Sequence, residues 1–390
     1  MNNISALENK FCFSCQSCVQ ICPTSCISMT ESEEGFLYPT VNEKLCLQCG
    51  LCKTHCPALN LSFPNSFETI SYAAKTKNHE ILMNSSSGGV FSELANLVLS
   101  ENGLVYGCYL DDHLCAKHTL IDKKENLFIL QKSKYVESDL TSIYSGIKNH
   151  LEKDSSPVLF TGTPCQVAGL KSFLQKPYSN LYTVDLICHG VPSRKLFSLY
   201  INWLESKFKE KIIYYDFRNK HVAGWTCGGK TKTKTKTQII NGYTDPYYYM
   251  FLHGLVYKES CYTCPFANKN RVGDITIGDF WGIDKEIPDF DYKDGTSAVL
   301  INTNKGKDLF SKIENSFSLQ LTSLSKIALW NHNLNTPTCL PKIRKKIYRK
   351  IFSNPKKYFF FFKLKITVIF LLKKIIPKNL KNLIKRILYA

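Results

Sequence analysis

Eight of the cysteines before residue 60 fall into two copies of one spacing. Cys12, Cys15, Cys18 and Cys22 precede Pro23, and Cys46, Cys49, Cys52 and Cys56 precede Pro57. Both read C-x2-C-x2-C-x3-C-P, the run of bacterial two-cluster ferredoxins. Thiolates at steps of three wrap one face of an iron–sulfur cube, and the Cys-Pro step sends the fourth thiolate to the other cube. The spacing therefore assigns Cys12, Cys15, Cys18 and Cys56 to one 4Fe-4S cluster, and Cys46, Cys49, Cys52 and Cys22 to a second. Zinc usually takes separated C-x2-C pairs, and a disulfide framework is the other rival. Neither accounts for the repeated triplet or for both prolines. The chemistry implied is the movement of single electrons.

The elements around these thiols are legible from periodicity. Residues 1–60 form a two-cluster ferredoxin module, an internal repeat whose units begin 34 residues apart at Cys12 and Cys46. A hairpin strand and turn is expected over 35–39, and a linker over 60–68. From 69 to about 320 strands and helices alternate, with strands expected at 70–74, 104–110, 158–160 and 181–187. Helical spacing covers 90–98, 142–151, 167–174 and the stretch after Ser193, a candidate cap. The fold class is mixed α/β, with a largely parallel sheet. A strand is expected at 212–217, and the strict Lys–Thr alternation of 230–237 reads as an exposed or edge strand guarded by lysine. A cationic ribbon for a phosphate-bearing partner is the functional alternative.

Four further cysteines stand where ligands gather. Cys165 follows one expected strand and Cys188 another, at the carboxyl edge where open α/β sheets bind ligands. Cys261 and Cys264 form a C-x2-C pair before Pro265. The spacing leaves a third cluster, zinc and buried free thiols all open. Ser86, Ser87, Gly88 and Gly89 open a helix, a geometry that suits the phosphates of a flavin or simply caps the helix. No G-x-G-x-x-G fingerprint is present there.

Residues 161–170 (TGTPCQVAGL), 185–193 (DLICHGVPS), 217–225 (FRNKHVAGW) and 261–282 (CYTCPFANKNRVGDITIGDFWG) resemble signature segments of the coenzyme F420 hydrogenase/dehydrogenase beta-subunit family. Residues 86–91 (SSGGVF) resemble its early glycine segment, and the likeness runs to about residue 303. The resemblance implies an iron–sulfur flavoprotein oxidoreductase that binds FAD and passes electrons between clusters and a soluble carrier. The carrier is a deazaflavin in archaeal members, other relatives reduce chlorophyll intermediates, and bacterial members often accompany polysaccharide-synthesis enzymes. It implies that Cys165, Cys188, Cys261 and Cys264 hold a third 4Fe-4S cluster. It also makes Ser86, Ser87, Gly88, Gly89, Thr161, Gly162 and Thr163 candidates around FAD in a flavin-binding α/β domain. Asp274 and Asp279 would orient Arg271, Arg218 or Lys220, or receive backbone donors in a turn. His189 could transfer a proton or serve as a structural donor. A flavin exchanges both single electrons and hydride, so it is the natural transducer, and no hydrolytic triad is required. A non-catalytic electron-transfer subunit or adaptor for a partner enzyme is the alternative.

Charge is unevenly placed. Of 50 Lys and Arg, 17 lie beyond Glu314, the last acidic residue, so the body carries 33 basic against 32 acidic residues. The net charge of +18 belongs to the tail. Residues 341–390 read as a basic amphipathic helical tail. Its stretch 358–372 is apolar apart from Lys363 and Lys365, shorter than the roughly twenty residues a bilayer crossing needs. Association with an anionic membrane surface is expected, against packing on the body or on a partner subunit. The phenylalanine block suits no solvated phosphate groove, and no nucleic-acid partner is expected. The first twenty residues hold no apolar leader, and 17 cysteines then point to the reducing cytoplasm. The expected placement is cytoplasmic and peripheral at the inner membrane face. The expected partners are a soluble carrier (deazaflavin, nicotinamide or ferredoxin) and a partner oxidoreductase subunit.

Overall fold

The computed structural model describes residues 2–61 and 67–375. The linker expected at 60–68 therefore falls partly outside the described residues, and the tail beyond 375, where the sequence sets Leu380, Leu383, Ile384 and Ile387 at helical spacing, lies wholly outside them.

The amino-terminal repeat is visible in the backbone. Ser14 and Gln16 are left-handed, and so are Gln48 and Gly50, each 34 positions later. Gln16 and Gly50 open the short helices Ser17–Gln20 and Leu51–Thr54, which carry Cys18 and Cys52. Between the units, β1 (Ile27–Glu31) and β2 (Leu37–Val41) pair antiparallel. The expected hairpin is present, and Gly35 takes the positive φ of its turn.

The main sheet uses β3 (Ile70–Thr76), β4 (Leu104–Leu110), β5 (Ala116–Ile121), β6 (Val158–Gly162) and β7 (Leu181–Leu186). The hairpin-type sheet that follows has β8 (Tyr214–Asp216), β9 (Gly228–Lys232) and β10 (Thr237–Asn241). Then β11 (Ile275–Asp279), β12 (Ser297–Ile301) and β13 (Phe317–Thr322) rejoin the main sheet, whose order is β13-β3-β12-β11-β7-β6-β4-β5. Only the centre, β4-β6-β7-β11, is parallel. Its other pairings are antiparallel, so the sheet is mixed rather than largely parallel. The reason is connection length: β4 reaches β5 through a tight turn, which permits only antiparallel pairing, whereas a parallel pair needs a long crossover. The helices Val90–Ser100, Ile143–Lys153, Pro164–Leu174 and Arg194–Phe208 match the expected helical stretches.

The Lys–Thr run is corrected by the structure. Lys230 to Lys232 belong to β9, the middle strand of three, and the chain then turns into β10. The Thr233 amide donates to the Lys236 carbonyl, and Glu210 accepts from the Thr235 amide at the tip. Thr231 is buried against β8, where its hydroxyl donates to the Tyr214 carbonyl. Alternation alone does not reveal a turn that a distant carboxylate stabilises.

One core joins what the sequence divides into three parts. Cys12, Phe36 and Tyr38 of the first module, Tyr200 and Tyr247 of the α/β region, and Phe359 of the tail are buried together. Two buried cations stitch the same seam. Lys258, 1% exposed, donates to Ser14 Oγ at 2.5 Å, the Leu37 carbonyl at 3.0 Å and Glu137 Oε1 at 3.1 Å. Arg344, in the helix Arg344–Ser353, grips Glu34 of the hairpin with both terminal nitrogens, at 2.9 and 2.6 Å. A buried ion pair is costly to break from one side, because the surviving charge is left without a partner. Lys258→Met should therefore lose about 3–5 kcal/mol of unfolding free energy. Lys258→Met combined with Glu137→Met should lose less than the single change. Anaerobic denaturant titrations measure both, and an unaltered single variant would show that this seam does not hold the modules together.

Candidate metal centres and the adjoining sheet edge

The eight paired cysteines line two separate hollows, in the crossed arrangement the spacing assigns. The first, roughly 330 Å³ with its open mouth included, is lined by Cys12, Cys15, Cys18 and Cys56 together with Ile4, Phe13, Pro57 and other apolar groups. The second, roughly 300 Å³ on the same measure, has Cys22 with Cys46, Cys49 and Cys52. Each hollow thus receives three thiols from one unit and the pre-proline thiol of the other. Backbone and amide N–H groups face the sulfurs: Ser14 N donates to Cys12 Sγ at 3.4 Å, and Asn3 Nδ2 to Cys46 Sγ at 3.6 Å. Such donors stabilise thiolate and tune cluster potential. The hollows differ in exposure, since Cys12, Cys15, Cys18 and Cys56 are buried whereas Cys49 is exposed. Among the described residues, no three His, Cys, Asp or Glu side chains are arranged to hold a metal ion.

Cys26 is a thiol that the two-fold spacing passed over. It is buried on the wall of the second hollow, with Sγ 3.4 Å from that of Cys22. Its position four residues after Cys22 was a readable signal.

Cys165, Cys188, Cys261 and Cys264 come together in the fold although they span a hundred residues of sequence. Burial, followed by charge on the neighbouring Cys264, pushes Cys165 up to about 12 and Cys188 likewise to about 12. Cys261 is raised well above an ordinary thiol, by burial first and then by Cys188, Cys264 and Cys165. Local sequence explains how they are aimed. Thr163 and Gln166 form a capping box and Pro164 occupies the first turn, so GTPCQ is a helix start that fixes Cys165 at the carboxyl end of β6. Cys188 lies two residues past the end of β7, while Cys261 lies within the 3-10 turn Glu259–Thr263 and Cys264 caps it.

The helix Pro164–Leu174 also touches the first hollow. A Cβ on Gly169 would stand 2.8 Å from Cys15 Cβ and 2.9 Å from the Tyr144 hydroxyl, so glycine is required for this approach. Gly169 lies one helical turn, about 6 Å, beyond Cys165. Tyr144 is fully buried there, donates to the Gln166 carbonyl at 2.8 Å, and feels both Cys15 and Cys165. On the other side, Ser260 Oγ donates to the Cys12 carbonyl at 3.0 Å, one residue from Cys261. Tyr144 carried no sequence signal and Gly169 only its place in the segment 161–170, because each acts through a partner more than a hundred residues away or on another helix.

The remaining candidate residues lie along the carboxyl edge of the sheet. The Ser86–Gly89 loop sits where β3 meets β12, since Gly88 N donates to Ser297 Oγ at 2.9 Å. Thr161, Gly162 and Thr163 end β6. From β6 through β7 and β11 to β12 is three strand spacings, roughly 14 Å. Several of these groups already have internal partners. Ser87 Oγ donates to the Thr296 carbonyl, Ser86 Oγ accepts from Ser133, and Thr161 Oγ1 donates to the Tyr106 carbonyl. Gly88 is pressed against Ala74 O and Ser297 N, where any side chain would collide.

Asp279 and Asp274 each take one of the roles considered above, whereas Arg271 has a different partner. Arg271 pairs with the fully buried Asp185, at 3.0 Å, rather than with Asp274 or Asp279. Asp274 accepts from the amide and hydroxyl of Thr183, a structural role. Asp279 pairs with Arg218 at 3.1 Å and accepts from Trp225 Nε1 at 2.7 Å, beside the stacked Trp225 and Trp281 rings. Lys220, 5% exposed, donates to the Leu82 and Ser87 carbonyls, and burial lowers it to about 7. His189 lies 5.7 Å from His332, ring to ring; burial first, then that neighbour, lowers it to about 4, so the imidazole is neutral near pH 7.

Comparison with known proteins follows these two regions. Residues 11–60 match the 4Fe-4S dicluster domain, and residues 156–327 match the carboxyl-terminal family of the coenzyme F420 hydrogenase/dehydrogenase beta subunit. A coenzyme F420-dependent sulfite reductase of Methanocaldococcus jannaschii is 23% identical over 260 residues, which is 62% of this chain. The match spans only 36% of that relative's length. Among solved structures, a chain of the xenon-derivatised F420-reducing [NiFe] hydrogenase complex from Methanosarcina barkeri is 16% identical, with a TM-score of 0.46. That alignment covers 74% of this chain and 94% of the other. The chain accordingly joins an amino-terminal region that matches the 4Fe-4S dicluster domain to a carboxyl-terminal region similar to that of the coenzyme F420 hydrogenase/dehydrogenase beta subunit.

Proposed function

We propose that this chain is an iron–sulfur flavoprotein oxidoreductase that moves electrons between 4Fe-4S clusters and a hydride-exchanging carrier or small substrate by way of FAD. The two amino-terminal hollows would each hold one cluster, and Cys165, Cys188, Cys261 and Cys264 a third. The observation that carries this reading is the close packing of Cys15 on Gly169, one helical turn from Cys165, with Tyr144 alongside. It supports a continuous route from the solvent-facing second hollow, through the buried first hollow, to the carboxyl edge of the sheet. FAD, when bound, would supply the exchange between one-electron and hydride chemistry. A soluble deazaflavin, nicotinamide or ferredoxin would be the carrier, and a partner oxidoreductase would supply or receive electrons at the Cys49 end.

Lys220 supports a phosphate at this edge. An ammonium has three donors, and two of those of Lys220 meet carbonyls beside the Ser86–Gly89 loop, leaving one for an anion. Arg218 adds a second buried cation through the Ser86 carbonyl, at 2.9 Å. A flavin phosphate here would offset, through its negative charge, the burial that depresses Lys220.

Anaerobically purified protein should contain FAD and an iron content near three cubes, read by absorbance, electron paramagnetic resonance and metal analysis. Clusters without flavin or turnover would sink the flavoenzyme reading and leave an electron-transfer adaptor. Cys165→Ser or Cys261→Ser should remove about four irons per chain and spare the ferredoxin signals; unchanged iron would defeat the third cluster. At the second hollow, Cys22→Ser should retain its cluster through Cys26, whereas the Cys22→Ser, Cys26→Ser double variant should lose about four irons. Equal iron in the two would show that Cys26 cannot substitute.

Lys220→Met should weaken FAD binding on the order of 10–100-fold, the worth of a charge-assisted hydrogen bond. In flavin-free protein its depressed pKa sets the sign of a pH effect. The stability Lys220 contributes relative to Met is fully present above its unfolded value, about 10.4, and is lost as pH falls toward about 7. The stability difference between wild type and Lys220→Met should therefore grow as pH rises from 7 to 9, and FAD should flatten it. A flat difference in flavin-free protein would place Lys220 in water rather than in this buried edge.

A further inference from the structure

The described part of the tail closes with a helix that has two apolar faces, and among the described residues only one of them packs on the body. In the helix Pro355–Ile375, Phe359, Ile366 and Ile369 are buried against the body. Phe359 packs on Tyr200 and Trp203, and Phe362 on Tyr249. Phe360, Phe361, Leu364, Val368, Leu371 and Leu372 are exposed instead, the first at 58% and Leu371 at 51%. At about 100° per residue, these six positions fall within roughly 120° of the helix circumference. They form one continuous outward stripe. The same arithmetic puts Lys356 and Lys363 on one flank and Lys365 on the other, with Lys357 at its amino-terminal end.

The preceding helix, Arg344–Ser353, shows the complementary pattern. Its inward positions are Arg344, Ile347, Tyr348 and Ile351, whereas Lys345, Lys346, Arg349 and Lys350 are exposed, with Lys342 just before them. Arg344 is clamped to Glu34 and to the Tyr257 carbonyl, so this orientation is fixed by the body. No acidic residue follows Glu314, so nothing in the tail neutralises this surface. Among the described residues no helix is long and apolar enough to cross a membrane.

We propose that these two helices form a docking surface for an anionic lipid bilayer, with the Phe360–Leu372 stripe entering the headgroup boundary and the flanking lysines and Arg349 meeting lipid phosphate. An outward apolar stripe of this width, bordered by cations, is the composition of an interfacial helix, and the exposed basic residues, of which Lys345 lies 4.0 Å from Glu259 of the body, supply charge complementarity to anionic headgroups. This inference stands apart from the redox reading, since it uses no residue of the thiol sets or the sheet edge. It would hold the chain flat on a membrane through a surface that folding has already built.

The test is co-sedimentation of the full chain with vesicles of phosphatidylglycerol and phosphatidylcholine, against phosphatidylcholine alone. Binding to the anionic vesicles is expected to exceed binding to the neutral ones at least tenfold and to weaken with salt. The triple variant Phe360→Glu, Leu364→Glu, Val368→Glu, at three exposed positions, should lose it while cluster absorbance is unchanged. A second variant, Lys345→Gln, Lys346→Gln, Arg349→Gln, Lys350→Gln, should lower anionic binding several-fold and leave the stripe intact. Absence of vesicle binding by the wild type overturns the proposal. So does an apolar stripe that serves a second copy, seen as a concentration-dependent dimer that the triple variant dissolves without any vesicle binding.

Discussion

The Lys258 ammonium is the contact on which the arrangement of the thiols depends. It lies in the seam between the ferredoxin module and the α/β region, and its three donors are spent on Ser14 Oγ, the Leu37 carbonyl and Glu137. Ser14 in turn presents its amide to Cys12, and Glu137 accepts from the Leu37 amide. One buried cation thereby fixes the loop carrying the first thiols and the hairpin strand behind it. It also fixes the segment leading into Cys261. Burial makes this joint exacting, because a charge removed from water must be fully partnered or the seam opens. The faces of Tyr38 and Phe36, 3.9 and 5.0 Å away, add cation–π attraction where water is excluded.

The same logic organises the sheet edge. Asp185 is fully buried and accepts from Arg271, the amides of Val272 and Gly273, and the Thr276 hydroxyl. That set of donors locks the end of β7 to the start of β11, which positions Cys188 relative to the Cys261–Cys264 turn. Asp279 and Arg218 make the corresponding joint farther along, where the tryptophan pair stacks. The polar residues in the signature segments thus work largely as struts. They hold thiols, cations and loops in register, and their own hydrogen bonds are consumed in doing so.

The tail is integrated more deeply than its composition suggests. A run of lysines and phenylalanines reads as an appendage, yet Arg344, Tyr348 and Phe359 are buried in the core shared with Tyr200 and Tyr247. Packing on the body, one of the readings composition allowed, holds for residues 344–372, while the opposite helix face stays exposed. Both facts follow from a helix whose apolar residues fill more than half its circumference.

The thiol pattern was legible because cluster ligation imposes local spacing: triplets at steps of three and a proline after the fourth cysteine. The alternation of strand and helix and the Ser193 cap were legible for the same reason, since each obeys a rule spanning only a few residues, whereas the helix after β6 starts at Pro164, three residues before the expected stretch. The sheet's antiparallel flanks were not, because strand direction is set by which distant segments pair. The turn inside the Lys–Thr run was hidden likewise, being held by Glu210 from another element. Sequence by itself determined which residues could bind iron and which stretches are helical. Tertiary structure alone decided that Cys165, Cys188, Cys261 and Cys264 share one place, that Gly169 admits Cys15, and that Lys258 closes the seam. These contacts join residues far apart in the chain, and their strength comes from burial, which no local spacing encodes.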